Sequence, residues 1–106
     1  MSSLARNPWP FSDPENVAVI TTSDVIRDRE PIVRVTHDED DGGWQFLSTS
    51  GASSEFAMLV GLREVYDIDP SIGALADLPR GWRALRKDAG SPWVRERQPP
   101  HEPGED

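Results

Sequence analysis

Ile32-Val33-Arg34-Val35-Thr36-His37-Asp38-Glu39-Asp40-Asp41-Gly42-Gly43-Trp44-Gln45-Phe46-Leu47 is the stretch whose reading decides the fold. Ile32, Val33, Val35 and Thr36 are β-branched, and Trp44, Phe46 and Leu47 are large and apolar, which suits a pleated, half-buried surface. The Asp/Glu/Gly run between them cannot continue a strand. It suits a turn that needs positive φ. The stretch therefore predicts two antiparallel strands joined by a short, very acidic turn.

Outward from this hairpin, the composition bounds the rest. A chain of 106 residues with 36% hydrophobic content and four tryptophans can build one modest core. Ten prolines and a net charge of −8 imply that part of the chain lies outside that core. The reading divides the chain into an extended N-terminal arm (residues 1–16), a single α+β domain (17–96) and a disordered acidic C-terminal tail (97–106).

On the N-terminal side, Pro8, Pro10 and Pro14 keep the arm extended, while Trp9 and Phe11 are placed to anchor it on the edge of the core. Val17-Ala18-Val19-Ile20-Thr21 reads as a strand buried on both faces. Thr21 and Asp24, at capping-box spacing, predict a brief helix through Val25, Ile26 and Arg27, ending near Asp28 or Arg29. Pro31 then opens the first hairpin strand.

On the C-terminal side, Ser48 to Ser54 is a polar loop of small residues. It has neither the glycines and lysine of a P-loop nor a Gly-x-Ser-x-Gly elbow. Ala57-Met58-Leu59-Val60 reads as another buried strand. Leu62, Val65 and Tyr66 then share one face of a helix. Asp69-Pro70 restarts a weak helix with Ile72 and Leu75 facing inward. Leu78-Pro79-Arg80-Gly81-Trp82 reads as a turn that folds Trp82 back onto the sheet, and Trp93-Val94-Arg95 as a final edge strand. The fold class is α+β, one small and mostly antiparallel sheet of four to five strands packed against short helices.

No motif states a chemistry. From Asp38, an EF-hand would need an acid at the fifth position and a glutamate at the twelfth, and the chain has Gly42 and Thr49 there. His37 and Glu39 form half of a zinc-deaminase signature, but the chain has no cysteine and a single further histidine, His101. Adjacent carboxylates in a turn are normally solvated, and no nucleophile or oxyanion donor accompanies them. We expect no catalytic residue, metal or cofactor. A sequence pI near 4.6 and the absence of a basic stripe argue against nucleic acid as a partner. The lack of any long apolar run argues against a membrane, and with no signal-like start it points to the cytoplasm.

Charge layout carries the functional expectation. Asp38, Glu39, Asp40 and Asp41 make a compact negative segment, and Arg80, Arg83, Arg86 and Lys87 a compact positive one. Exposed ion pairs contribute only about 0–1 kcal/mol each, whereas clustered charge steers association and sharpens partner choice. The acids, with Trp44, Trp82, Arg83 and Arg86 as aromatic and arginine anchors, are the candidate partner-binding residues. The competing reading is a small-anion-binding or enzymatic domain with a pocket between the sheet and residues 78–87, near Arg83 and Arg86.

The run Thr36-His37-Asp38-Glu39-Asp40-Asp41-Gly42-Gly43-Trp44-Gln45-Phe46-Leu47, with Asp67-Ile68-Asp69-Pro70-Ser71 and Asp77-Leu78-Pro79-Arg80-Gly81-Trp82-Arg83-Ala84, resembles a group of small bacterial stand-alone proteins of unknown function. It is more distantly similar to an immunity-protein superfamily of polymorphic toxin systems. The resemblance covers roughly residues 16–93 and implies an α+β binding protein with no catalytic residues to carry over; the acidic hairpin tip on a chain of net charge −8 is what points to an unidentified, basic protein partner.

Overall fold

A computed structural model of the chain describes residues 9–49 and 57–99. Residues 1–8 of the arm expected at 1–16, residues 50–54 of the polar loop expected at 48–54, and residues 100–106 of the tail expected at 97–106 lie outside the described residues.

The elements run β1 (Ala18–Thr22), α1 (Ser23–Asp28), β2 (Arg34–His37), β3 (Trp44–Leu47), β4 (Ala57–Gly61), α2 (Leu62–Ile68), a 3-10 helix (Pro70–Leu75), β5 (Trp82–Leu85) and β6 (Val94–Arg97). The strands form one mixed sheet in the order β4-β1-β3-β2-β5-β6. Among the described strands, β1 and β3 pair in parallel and the other neighbouring pairs are antiparallel. The α+β class is as expected, with six strands rather than four or five.

Period-two alternation sorts the sheet residues onto two faces. Val19, Val35, Trp44, Phe46 and Ala84 point to one face and are buried. That face is covered by Val25 of α1, Leu62 and Val65 of α2, and Ile72 and Leu75 of the 3-10 helix, in one continuous core with Leu78 and Phe11. Full burial of a side chain such as Phe46 contributes about 1.5–3 kcal/mol. The opposite face carries a row that crosses all six strands through successive registers: Leu59, Ile20, Gln45, Thr36, Arg83 and Glu96.

Several local expectations need correction. β1 is buried on one face only, because Ile20 is 36% exposed on the open side. β4 is an edge strand rather than a buried one, with Leu59 71% exposed. Trp82 does not close a turn but begins β5, since Gly81 at φ +85° redirects the chain so that residues 82–85 pair with both β2 and β6. The capping box does not form. Thr21 Oγ1 donates to the carbonyl of Phe46 at 2.7 Å, and the N-cap is Thr22, whose hydroxyl meets Asp24 Oδ1 at 2.6 Å. Pro31 precedes the strand rather than opening it, and the ladder begins at Arg34.

Two helix readings hold. α1 ends at Asp28, with Arg29 in the left-handed region at φ 56°. Asp69 caps the 3-10 helix by accepting the Ser71 N–H at 3.1 Å.

Candidate functional site

The end of the β2–β3 hairpin is built by its own backbone. Asp38 N–H donates to the carbonyl of Gly43 at 2.8 Å, and Gly42 N–H donates back to the carbonyl of Asp38 at 3.1 Å. Gly42 takes φ +72°, a conformation that costs an ordinary L-residue energy. Asp41 Oδ1 accepts the Gly43 N–H at 2.9 Å and tightens the turn. Glu39, Asp40 and Asp41 are exposed and Asp38 is half-buried.

A second turn flanks the first. Gly81 N–H donates to the His37 carbonyl at 2.7 Å, which brings Arg80 over Gly42 and Gly81 beside the Glu39 side chain. A methyl group replacing the Gly42 hydrogen would lie 2.5 Å from Arg80 Nη2. Even so, among the described residues no cation forms an ion pair with Asp38, Glu39, Asp40 or Asp41.

Behind the tip lies a base of packed aromatic rings. Trp44 is 3% exposed and stacks on His37, with centroids 3.8 Å apart and planes 12° from parallel. Phe46 stacks behind it at 5.9 Å, and Phe11 meets it edge-on at 5.4 Å. The His37 Nδ1–H donates to the carbonyl of Leu78 at 2.7 Å, which ties the hairpin to the turn before β5. Trp44 therefore supports the tip from inside and offers no contact surface. The stack follows from the β2–β3 register, which sets His37 directly opposite Trp44.

The remaining candidate residues are not at the tip. Trp82 is half-buried on the core side. Arg83 lies on the opposite face, its Nε donating to Glu96 Oε2 at 2.6 Å. The Arg86 side chain is 3% exposed and bonds the Ile32 carbonyl at 2.8 Å, Ser71 Oγ at 3.1 Å and Asp69 Oδ2 at 2.8 Å. Its guanidinium also lies 4.1 Å from the centre of the Trp93 ring. Both arginines expected to face an anion are thus engaged internally. Residues 82–85 of the segment 78–87 form β5 and belong to the sheet itself rather than to a layer packed on it. A cleft of about 220 Å³ does open beside β5, lined by Val33, Arg34, Leu47, Ser48, Thr49, Leu85 and Arg86, with the Arg86 guanidinium bonded to the Ile32 carbonyl, Ser71 and Asp69.

Among the described residues, no group of three or more His, Asp or Glu side chains is placed to hold a metal ion. No described helix is long and apolar enough to cross a membrane. In comparisons with known proteins, no family model, curated protein or solved structure matches the chain.

Proposed function

We propose that this chain is a cytoplasmic, non-catalytic binding protein that recognises a basic surface on a partner protein through the acidic tip of the β2–β3 hairpin. One observation carries the reading. Among the described residues, four arginines pair with other acids: Arg63 with Glu15 and Asp67, Arg83 with Glu96, Arg86 with Asp69 and Arg95 with Asp77. The four consecutive carboxylates at residues 38–41 receive none of them. Arg80 lies over the turn at Gly42 without forming an ion pair with these acids, so the tip keeps a net negative charge that binding a cationic surface would relieve while steering the encounter.

The tip is also set on a base of buried, stacked rings, so little conformational freedom is lost when it docks. An immunity-type role, in which the acidic tip covers the basic active surface of a toxin, is the finer form of this proposal and rests on the resemblance.

The test is capture of partners from the native cytosol by the wild-type chain and by the Asp38→Asn, Glu39→Gln, Asp40→Asn, Asp41→Asn variant. We expect the variant to fold normally and lose its partner. Unchanged capture by a folded variant would reject the proposal.

A further inference from the structure

Residues 9–13 are held to the domain by rings rather than by backbone. Among the described residues, no backbone hydrogen bond ties them to the sheet or the helices. The bonds to α2 begin at Glu15 and Val17, whose carbonyls accept the N–H groups of Arg63 and Leu62 at 2.8 and 2.9 Å. Trp9 Nε1–H closes the segment on itself by donating to the Asp13 carbonyl at 2.7 Å. Trp9 stands edge-on to Tyr66 of α2 at 5.3 Å. Phe11, 5% exposed, meets Tyr66 at 6.4 Å and Trp44 at 5.4 Å, both edge-on. Pro10 fits closely over Gly73, where a methyl group would come within 3.3 Å of Pro10 Cγ.

Phe11 is the link from this segment to the hairpin. Trp44 is buried, and its Nε1–H has no hydrogen-bond partner among the described residues. No polar contact fixes the indole, so its orientation rests on packing against His37, Phe46 and Phe11. A buried N–H without a partner carries a cost that contact with water removes. The covered indole therefore gains by turning outward once Phe11 leaves.

We propose that residues 9–13 are a strap whose seating sets the geometry of the acidic tip. Seated, Phe11 holds Trp44 flat on His37, and His37 holds the turn at residues 78–81 beside the tip through the Leu78 carbonyl and the Gly81 N–H. Unseated, Trp44 leaves the stack and the two turns loosen. A segment without backbone bonds to its domain belongs to the low-stability end of a fold and opens without global unfolding. The bearing of the strap on recognition rests on the binding role given to the tip above. Its own test needs no partner, so either reading can fail without the other.

Proton NMR of the full chain, at a pH where its two histidines are neutral, reads the stack, because the Trp44 ring current displaces the His37 ring signals. His37→Gln assigns those signals. Hydrogen exchange of the Asp38 and Gly42 amides reads the tip, since both close the hairpin turn. Phe11→Ala should move the His37 signals toward those of free histidine and speed exchange of the two amides about tenfold. Trp9→Ala should do the same, although its ring contacts reach the hairpin through Phe11. The Val35 and Phe46 amides, in the two central strands, should keep their wild-type exchange in both variants. His37 signals and tip amides at wild-type values in either folded variant would overturn the proposal. Equal loss of protection at Val35 and Phe46 would also overturn it, as the mark of general loosening. If Phe11→Ala does not fold, Trp9→Ala decides, because Trp9 is only half-buried.

Discussion

Arg86 and Asp69 form an ion pair at 2.8 Å in which the arginine side chain is 3% exposed and the aspartate 22%. The pair joins the end of β5 to the residue that caps the 3-10 helix, so one guanidinium ties the sheet to the helical layer. Its other donors serve the Ile32 carbonyl and Ser71 Oγ, and its face rests against Trp93.

Arg86→Met should destabilise the fold by roughly 2–4 kcal/mol. This lies toward the lower part of the range for removing one partner of a buried ion pair, because Asp69 keeps some contact with water. Urea denaturation measures it. Arg86→Lys should recover only part of the loss, since an ammonium cannot reach carboxylate, hydroxyl and carbonyl with a planar fork. A near-neutral Arg86→Met would mean that the network contributes nothing net.

Gly42→Ala should cost about 1–2 kcal/mol, the penalty for placing an L-residue in the left-handed region. The contact with Arg80 adds little, because that side chain is exposed and free to swing away. Gly43→Ala should be milder, as Gly43 does not have positive φ. Thermal denaturation of the two variants separates backbone conformation from crowding as the reason for glycine here.

Asp77 titrates below the ordinary carboxylate range, first because Arg95 donates a hydrogen bond to it and second because of that guanidinium's charge. A carboxyl whose folded pKa is depressed contributes stability above its unfolded pKa and loses it as pH falls through the folded value. Arg95→Gln should move the Asp77 midpoint upward and remove this small part of the acid-side loss of stability. Carbon-detected titration of the Asp77 carboxyl reads it directly, and an unmoved midpoint would show that the pair does not form in solution.

The hairpin was legible because its strands are β-branched and aromatic and its turn is rich in Asp and Gly. The inward faces of α2 and the 3-10 helix were legible from the spacing of Leu62, Val65, Ile72 and Leu75. β5 was not: Trp-Arg-Ala-Leu contains no β-branched residue, and its pairing with both β2 and β6 depends on the turn at Gly81. Of the candidate site, the four acids were visible as charge. The internal commitments of Arg83 and Arg86 were not, because their partners Glu96 and Asp69 are brought beside them only by folding.

By itself the sequence determined the class of fold, the acidic turn and the residues able to fill a core, since alternation, helical spacing and glycine placement act over a few neighbouring residues. Tertiary structure decided which apolar runs are covered. Val35 and Phe46 sit beneath helices, while Leu59, in an equally apolar strand, lies open at the sheet edge. It also decided which charges are neutralised. Burial and pairing depend on what the distant parts of the chain bring alongside, and no local pattern encodes that.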